Sequence, residues 1–247
     1  MATWTNYRRQ PVSCYPRRTT SSPSSIAPTR WSSRRAAART VLEFCRELKA
    51  RKLDVRWMCN SRVDSIDAQM AAAMKDSGCT GISFGVESGV QDILDRVRKG
   101  TTTEQGREAI ATVKAAGISS LAHFILGLLG ETKETIRRTV AYAKEVDPDW
   151  AQFYCATPLP GTAMREELQQ EGRLPQGPWS SLEFQKPHSV SADLTPEELR
   201  FERARAYAEF YLRPSVARRM LKRIRPREIG LFAAQTTTFV PSWVLSA

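Results

Sequence analysis

Six polar residues stand where the apolar segments of this chain end. They are Asn60, Arg62, Glu87, Ser88, Glu131 and Thr157. If these segments are parallel strands, their carboxyl ends meet at one edge of a sheet, and the six side chains surround one place. Guanidinium, carboxylate and hydroxyl groups gathered in this way form a binding site for a polar ligand. The first question is therefore which elements place them together.

The stretch at 117–131, GISSLAHFILGLLGE, shows how one strand end is built. Gly117 ends a helix, and an apolar run follows that only His123 and Gly127 interrupt. The run has the length of a strand buried on both faces. A glycine-rich turn and Glu131 close it, an arrangement with which α/β proteins form ligand sites. We expect His123 to be a hydrogen-bonded strand residue and not a ligand.

The same order of helix, turn and strand occurs four times in succession. The predicted strands are LDVRWMCNSR, CTGISFGVES, the central stretch and DWAQFYCATPLPGT. The helices before them are predicted to begin at Thr40, Ser65, Thr101 and Thr132. Thr40 with Glu43, and Thr101 with Glu104, have the spacing of capping boxes. Four such units predict an α/β fold in which right-handed crossovers join parallel strands, as in a (β/α) barrel or a doubly wound sheet.

The net charge of +11 suggests a nucleic-acid or membrane partner until it is located in the sequence. Residues 1–40 hold eight arginines and no acidic residue, so the other 207 residues carry only +3. The charge belongs mostly to one end and says little about the folded part. We therefore expect no nucleic-acid partner. No apolar run approaches the roughly 20 residues that span a bilayer.

Residues 1–40 are rich in arginine, serine and proline and show no apolar periodicity, so we expect disorder. Three interpretations compete for this segment. It is a solvated basic tail, an organelle transit peptide, or an out-of-frame translation joined to a genuine protein. Four prolines in this segment argue against the amphipathic helix of a transit peptide.

The five cysteines are too far apart in sequence to form a CxxC or CxxxCxxC ligand set. Their odd number fits no closed framework of disulfides, which indicates a reducing, cytoplasmic context. Every cysteine from Cys45 onward lies in or beside an apolar segment. We expect these thiols to be small buried apolar groups, and we assign no metal site.

The chain changes character after Gly172, where a loop-like stretch leads to Thr195-Pro196-Glu197-Glu198. This is a strong helix start, with a capping residue, a proline and a glutamate at the expected positions. The helix is predicted to end at Pro214 and to be followed by a basic helix. That helix is a candidate surface for nucleic acid or a membrane, but a solvated helix face explains the same pattern.

Four motifs in order resemble the radical SAM superfamily, and in particular its cobalamin-binding branch. They are WMCNSRVDSID at 57–67, GCTGISFGVESGVQDILDRVRKGTT at 78–102, HFILGLLGETKETIRRTV at 123–140 and PLPGT at 158–162. Together they cover roughly residues 41–175. The resemblance implies a (β/α)6 partial barrel in which a [4Fe-4S] cluster reduces S-adenosylmethionine to methionine and a 5′-deoxyadenosyl radical. Cobalamin is a further cofactor that the resemblance suggests.

The resemblance also implies a site for S-adenosylmethionine. Its residues here are Arg62, Glu87, Ser88, Ile125, Gly127, Glu131, Gln152 and Tyr154. Glu87 and Ser88 end the strand that offers polar groups to the ribose and the amino-acid moiety. Ile125 and Gly127 match the segment whose backbone lies against the adenine. No catalytic residue is assigned.

The other four residues have less direct roles in this comparison. Arg62 pairs with the ligand carboxylate, and Glu131 orders the glycine turn more than it touches ligand. Gln152 and Tyr154 lie on the last strand, and we expect that only one of them faces the cavity. Simpler roles remain open, since Glu87 can cap the next helix, Arg62 can be an ion-paired loop residue, and the two glycines can serve only the turn.

The departure from the family pattern is the missing CxxxCxxC motif, whose three thiolates hold the cluster. Where the first strands and the cluster loop should lie, the chain has the acid-free segment with only Cys14. We therefore expect a frame error or truncation near residue 40. The domains are then 1–40, a partial core at 41–175, and a helical C-terminal extension at 176–247. The first remaining strand would lack its outer neighbour and expose an apolar edge, so we expect aggregation and no radical chemistry.

Three functions remain after this comparison. The first is the C-terminal part of a radical S-adenosylmethionine enzyme, which the resemblance places in the cobalamin-type branch. It is inactive as the chain stands, and its small-molecule substrate is unknown. The second is a non-catalytic degenerate barrel that binds a nucleotide-like ligand or a partner protein. The third is a phosphate-binding barrel enzyme, for which the sequence supplies no base or nucleophile. The sequence does not determine the oligomeric state.

Overall fold

The computed structural model describes residues 34–174, 182–184, 186–188 and 190–223. Most of the segment expected to be disordered, residues 1–33, lies outside these ranges, as does the C-terminal stretch from 224 onward. No helix within the described ranges is long and apolar enough to cross a bilayer.

Four parallel strands form the centre of the molecule. They are β1 (Trp57–Ser61), β2 (Cys79–Glu87), β3 (Ser119–Leu126) and β4 (Trp150–Cys155), and they pair in the order β1-β2-β3-β4. The sheet does not close on itself among the described residues, so the molecule is an α/β partial barrel, as predicted.

Helices precede and follow the strands in regular alternation. They are α1 (Arg34–Ala50), α2 (Ala68–Asp76), α3 (Gln91–Arg96), α4 (Thr103–Ala115), α5 (Lys133–Val146), α6 (Ala163–Gln170), α7 (Pro196–Tyr211) and α8 (Pro214–Arg223). A short 3-10 turn at Val63–Ser65 separates β1 from α2. The elements α2, α4, α5 and α7 contact the sheet and form its helix layer.

Three predicted helix starts were wrong, each for a local reason. Thr40 lies inside α1, because the alanine run before it already favours helix. Ser65 belongs to the 3-10 turn, and the Asp67 carboxylate caps α2 by accepting from the Met70 N–H. The capping box predicted at Thr101 with Glu104 forms one residue later, at Thr102 with Gln105.

Two other predicted starts are confirmed in detail. Thr132 caps α5, and Thr195 caps α7 with reciprocal hydrogen bonds to Glu198 and a proline at the first helical position. The predicted domain boundary at 175 stays a prediction. The helix α7 nevertheless packs into the same core as the sheet, because Leu199 and Phe210 are almost completely buried in it.

Alternation along β3 separates the two faces of the sheet. Ser120, Ala122, Phe124 and Leu126 are fully buried under the helix layer. Leu121, His123 and Ile125 point to the opposite face and are only partly buried. We call this opposite side the open face of the sheet.

The outer edge of β4 is covered by side chains of α7. The Tyr211 hydroxyl accepts from the Ala151 N–H at 3.1 Å and donates to the Ala151 carbonyl at 2.7 Å. The Tyr207 hydroxyl accepts from the Phe153 N–H at 3.1 Å, and the Arg203 guanidinium donates to the Phe153 carbonyl at 2.8 Å. These contacts give the edge strand the partners that another strand would supply.

One carboxylate ties the C-terminal helices to the core. Asp147 follows α5 in a left-handed conformation, with φ 46°, and its carboxylate accepts hydrogen bonds from Lys114, Arg213 and Arg219. Burial alone would raise its pKa, but the hydrogen bonds from Arg219 and Lys114 outweigh that effect and hold the pKa at about 2. The charged form is therefore part of the folded structure.

We predict that Asp147→Asn lowers the free energy of unfolding by about 1–2 kcal/mol at pH 7, because three cations lose their anionic partner. Asparagine tolerates the left-handed backbone, so the main effect is the charge. The contribution of Asp147 is complete above its unfolded pKa of 3.8 and disappears as the pH falls through about 2. Urea unfolding of both proteins as a function of pH measures the difference.

The control is Asp76→Asn, because Asp76 pairs with Lys49 at 66% side-chain exposure and such pairs contribute little. An Asp147→Asn protein as stable as the wild type at pH 7 would contradict the role of this carboxylate.

Candidate functional site

The polar residues of the open face form rows across neighbouring strands. In one row Asn60, Ser83, Leu121 and Trp150 are register partners on the four strands. In the next row, nearer the carboxyl ends, Gly85 lies beside His123, and His123 beside Gln152. The parallel register therefore brings residues from separate strands next to one another on the open face.

An ion pair lies over Gly85 at the end of β2. The Lys99 ammonium donates to Glu87 Oε1 at 2.5 Å, and both side chains are about four-fifths buried. A Cβ at position 85 would lie 2.7 Å from Glu87 Oε1 and 3.0 Å from Lys99 Nζ, so glycine leaves the space that the pair needs. Glu87 itself has a φ of 68°, a conformation that costs a non-glycine residue free energy. The pair and the turn thus hold this carboxylate at the open face.

Gln152 and Tyr154 both lie on the open face, so the expectation that only one of them does was wrong. Residues two apart on a strand point to the same side, because the side-chain period of a strand is two. The Tyr154 hydroxyl donates to Gln152 Oε1 at 2.5 Å. The Tyr154 ring also stacks on the His123 ring, with centroids 5.6 Å apart, so the three side chains form one cluster.

His123 does not have the full set of hydrogen bonds that we expected from the sequence. Its Nδ1 atom is buried and has no hydrogen-bond partner among the described residues. Burial lowers the pKa of its imidazole, although the charge of Glu87 and a hydrogen bond with Gln152 act in the opposite direction. A neutral imidazole offers a donor at one nitrogen and an acceptor at the other, so Nδ1 is suited to a polar ligand atom.

Arg62 is already held by neighbouring residues. Its guanidinium donates to both carboxylate oxygens of Asp64, at 3.0 and 3.1 Å, and to the Lys99 carbonyl at 3.2 Å. Its side chain is 50% exposed. The structure therefore matches the simpler alternative of an ion-paired loop residue, and through Lys99 it links the end of β1 to the Glu87 carboxylate.

Glu131 holds the turn after β3 from the inside. The side chain is completely buried, and its Oε2 atom accepts from the N–H groups of Gly127 at 2.7 Å and Leu128 at 3.0 Å. Gly127 has a φ of 80°, and a Cβ there would lie 2.6 Å from Leu199 of α7. The glycine thus serves the turn and the approach of α7, while Ile125 remains at the open face.

The hydroxyl groups of Ser88 and Thr157 are turned into the protein. Ser88 is fully buried, with its Oγ 3.1 Å from the hydroxyl oxygen of Thr139 and accepting from the Val90 N–H. The start of α3 is thus held by Ser88 and not by Glu87. Thr157 donates to the Cys155 carbonyl at 3.2 Å. Neither hydroxyl faces the place where Glu87 and His123 meet.

Lys99 is the functional candidate that the sequence reasoning missed. It follows α3 in the stretch RVRKG. A basic residue there is expected, because a positive charge interacts favourably with the C-terminal end of a helix. The pairing with Glu87 depends on the path of the chain after α3, which no local pattern reveals. A glycine two residues before the acidic end of β2 was the available signal of a close contact.

The residues present do not fit an iron–sulfur cluster. The full sequence has no CxxxCxxC motif, and the described residues hold no group of three or more histidine, cysteine or acidic side chains that suits a metal. Cys45, Cys79 and Cys155 are buried and Cys59 is partly buried. The open face does fit a polar organic ligand, because His123 Nδ1 lacks a partner there.

Comparisons with known proteins agree with this architecture. Residues 32–143 match the family model of the Radical SAM superfamily. An uncharacterized methyltransferase of Pyrococcus horikoshii is 35% identical over 176 residues, which is 71% of this chain and 38% of that protein. The anaerobic magnesium-protoporphyrin IX monomethyl ester cyclase of Rubrivivax gelatinosus is 34% identical over 160 residues, 64% of this chain and 28% of that protein.

A solved structure shows the same fold. The radical S-adenosylmethionine methyltransferase TsrM from Kitasatospora setae, with cobalamin and a [4Fe-4S] cluster bound, superposes with a TM-score of 0.51 at 22% identity. The match covers 56% of this chain and 28% of TsrM.

The fold and the strand-end site define a partial barrel of the radical S-adenosylmethionine type. Residues 32–143 match the model of the radical SAM superfamily, and the chain contains part of a core of this type. It spans 38% and 28% of the lengths of the two relatives above, which are a methyltransferase and a cyclase.

The burial of Glu131 gives a prediction for the glycine turn. Burial raises the pKa of this carboxyl to about 7, although the N–H groups of Leu128 and Gly127 act to lower it. Stability therefore falls as the pH rises from 4.5 to about 7 and is constant above that value. We predict that Glu131→Gln abolishes this slope, because it keeps an acceptor oxygen for the turn and removes the titrating group.

Glu131→Ala is the matched comparison, since it leaves two buried N–H groups without an acceptor and costs about 2–4 kcal/mol. Urea unfolding at pH 5, 6, 7 and 8 distinguishes the three proteins. If Glu131→Ala is as stable as the wild type at every pH, the carboxylate does not hold the turn.

Proposed function

We propose that the open face binds S-adenosylmethionine, and that this chain is the ligand-binding half of a radical S-adenosylmethionine enzyme. The observation that carries the proposal is the single cluster that Glu87, Lys99, His123, Gln152 and Tyr154 form over the open face of β2, β3 and β4. The match of residues 32–143 with the radical SAM family model supports S-adenosylmethionine as the ligand in place of another polar molecule.

Each group of this cluster has a definite part in binding. The Glu87 carboxylate is suited to ligand hydroxyl groups, because Lys99 and the turn fix its position before the ligand arrives. His123 offers Nδ1 to a polar atom, and Ile125 gives an apolar surface beside it. Glu131 holds the turn whose backbone lies next to Ile125. Arg62 is a weaker candidate for the ligand carboxylate, because Asp64 already occupies it.

The superfamily's iron–sulfur cluster supplies the electron that cleaves S-adenosylmethionine, and this chain lacks the three thiolates that hold it. As given, the polypeptide therefore binds the ligand without cleaving it. Methyl transfer with cobalamin is the reaction that the likeness to TsrM favours for a complete enzyme. The substrate and the product follow from parts of such an enzyme outside the matched region.

A second candidate is a non-catalytic barrel that binds a nucleotide-like ligand or a partner protein. The missing CxxxCxxC motif favours it, since no radical chemistry is then required of the chain. The two candidates differ in ligand preference, because a general nucleotide site would accept ATP or adenosine as well as S-adenosylmethionine.

We predict that the 247-residue chain binds S-adenosylmethionine and S-adenosylhomocysteine in preference to ATP, measured by isothermal titration calorimetry. Glu87→Gln should weaken binding about tenfold, because an ionised acceptor forms stronger hydrogen bonds than an amide does. Under anaerobic conditions with dithionite, we expect no 5′-deoxyadenosine or methionine from the chain alone.

Glu104→Gln is the control, because Glu104 lies on the exposed surface of α4 and should leave the affinity unchanged. Equal affinity for ATP would favour the second candidate. Binding that Glu87→Gln leaves intact would contradict the assigned site, and 5′-deoxyadenosine produced by the chain alone would contradict the missing cluster.

A further inference from the structure

The carboxylate at the centre of the candidate site belongs to a strained turn. Glu87 has a φ of 68°, and the Ser88 N–H donates to the Val86 carbonyl across it at 3.0 Å. A three-residue turn with a positive central φ is the rare and strained form of the γ-turn. The pairing of β2 with β3 also slips by one residue between Gly85 and Glu87. Such a conformation persists only where the surrounding structure holds it.

The helix α5 supplies the group that holds this turn. The Thr139 hydroxyl oxygen accepts from the Gly89 N–H at 3.1 Å and lies 3.1 Å from Ser88 Oγ. Ser88 Oγ accepts from the Val90 N–H at 3.1 Å, so two hydroxyl groups join two successive N–H groups of the turn to the helix. Thr139 and Ser88 are completely buried, and hydrogen bonds shielded from water in this way are strong.

We propose that Thr139 is a positioning residue for the candidate site, because its hydroxyl holds the turn that directs the Glu87 carboxylate to the open face. Thr139 is fully buried in the helix layer, so it acts through Glu87 and not through a contact of its own with a ligand. A carboxylate that is fixed before the ligand arrives loses less conformational freedom on binding. The effect on binding rests on the proposed function, whereas the effect on the position of Glu87 does not.

The backbone at Gly89 is shaped for this contact with α5. A Cβ at position 89 would lie 2.4 Å from Tyr142 Cβ and 3.0 Å from Thr139 Cα, so glycine allows the turn to approach the helix this closely. Tyr142 is itself fixed, because its hydroxyl donates to the Thr103 carbonyl at 2.5 Å. The turn therefore has one defined place against α5.

A purely structural role for Thr139 would have a different signature. Loss of the hydroxyl would then lower the stability of the fold, while the protein that remained folded would bind its ligand as before. A positioning role instead makes the loss of affinity depend on the Glu87 side chain. The dependence of one substitution on another is what a double-mutant cycle measures.

The test compares S-adenosylmethionine affinities of the 247-residue chain by isothermal titration calorimetry. Thr139→Val replaces the hydroxyl by a methyl group at similar helix propensity, and it should weaken binding about threefold to tenfold. Thr139→Ser keeps the hydroxyl and should bind within about twofold of the wild type. In a Glu87→Ala background, Thr139→Val should change the affinity by less than about twofold, because no carboxylate is left to position.

A second measurement needs no ligand. The carboxyl carbon resonance of Glu87 in the nuclear magnetic resonance spectrum is assigned from its absence in Glu87→Gln. It should move in Thr139→Val and keep its wild-type position in Thr139→Ser. If Thr139→Val does not fold, as judged by far-ultraviolet circular dichroism, Ser88→Ala takes its place, because it removes the other hydroxyl that joins the turn to α5.

Thr112→Val is the matched control. It makes the same change in the last turn of α4, which leads to the amino end of β3, whereas Glu87 lies at the carboxyl end of β2. Both the affinity and the Glu87 resonance should equal those of the wild type.

Three results would overturn the proposal. One is a Thr139→Val protein that binds as tightly as the wild type, or whose loss of affinity is equally large in the Glu87→Ala background. Another is an equal loss in Thr139→Ser, since the hydroxyl would then not be the group that matters. The third is a Glu87 resonance that Thr139→Val leaves in place. If the wild-type chain binds no S-adenosylmethionine, the proposed function fails, and the Glu87 resonance alone decides the positioning role.

Discussion

A parallel sheet must satisfy the backbone of both its edge strands, and this constraint explains much of the molecule. At β4 the chain meets it with side chains, because α7 carries two tyrosines and an arginine at positions that reach the strand backbone. At β1 no described element does so. The helix α7 thus covers the β4 edge of the sheet, although in the sequence it follows the core motifs and was assigned to a C-terminal extension.

The same sheet positions the candidate site. The open face of the described strands carries Glu87, His123, Gln152 and Tyr154, which are suited to a polar organic ligand. The family resemblance assigns the iron–sulfur cluster to a part of the barrel that lies beyond β1. The ion pair of Glu87 and Lys99 does not depend on that part, because both of its residues come from one continuous segment.

The sequence predicted the order and direction of the strands because hydrophobic runs and glycine stops are local signals. Helix starts were predicted well at Thr132 and Thr195, where the threonine itself caps the helix. They were predicted poorly at Ser65, where a nearby aspartate is the better cap. Side-chain partners were beyond the sequence, because contacts such as those of Lys99 with Glu87 and of Ser88 with Thr139 depend on how distant segments pack. The expectation that only one of Gln152 and Tyr154 faces the cavity was wrong for a different reason. Residues two apart on a strand point to the same side, so the period of the strand alone decides the question.

Amide hydrogen exchange of the isolated chain tests the contrast between the two edges most directly. We predict slow exchange at Ala151 and Phe153, whose N–H groups donate to the tyrosine hydroxyls of α7. We predict exchange at Met58 and Asn60 that is faster by at least about a hundredfold, because their N–H groups point away from β2, to the side where no described strand pairs with β1. Equal protection of the two strands in a monomeric chain would contradict the account.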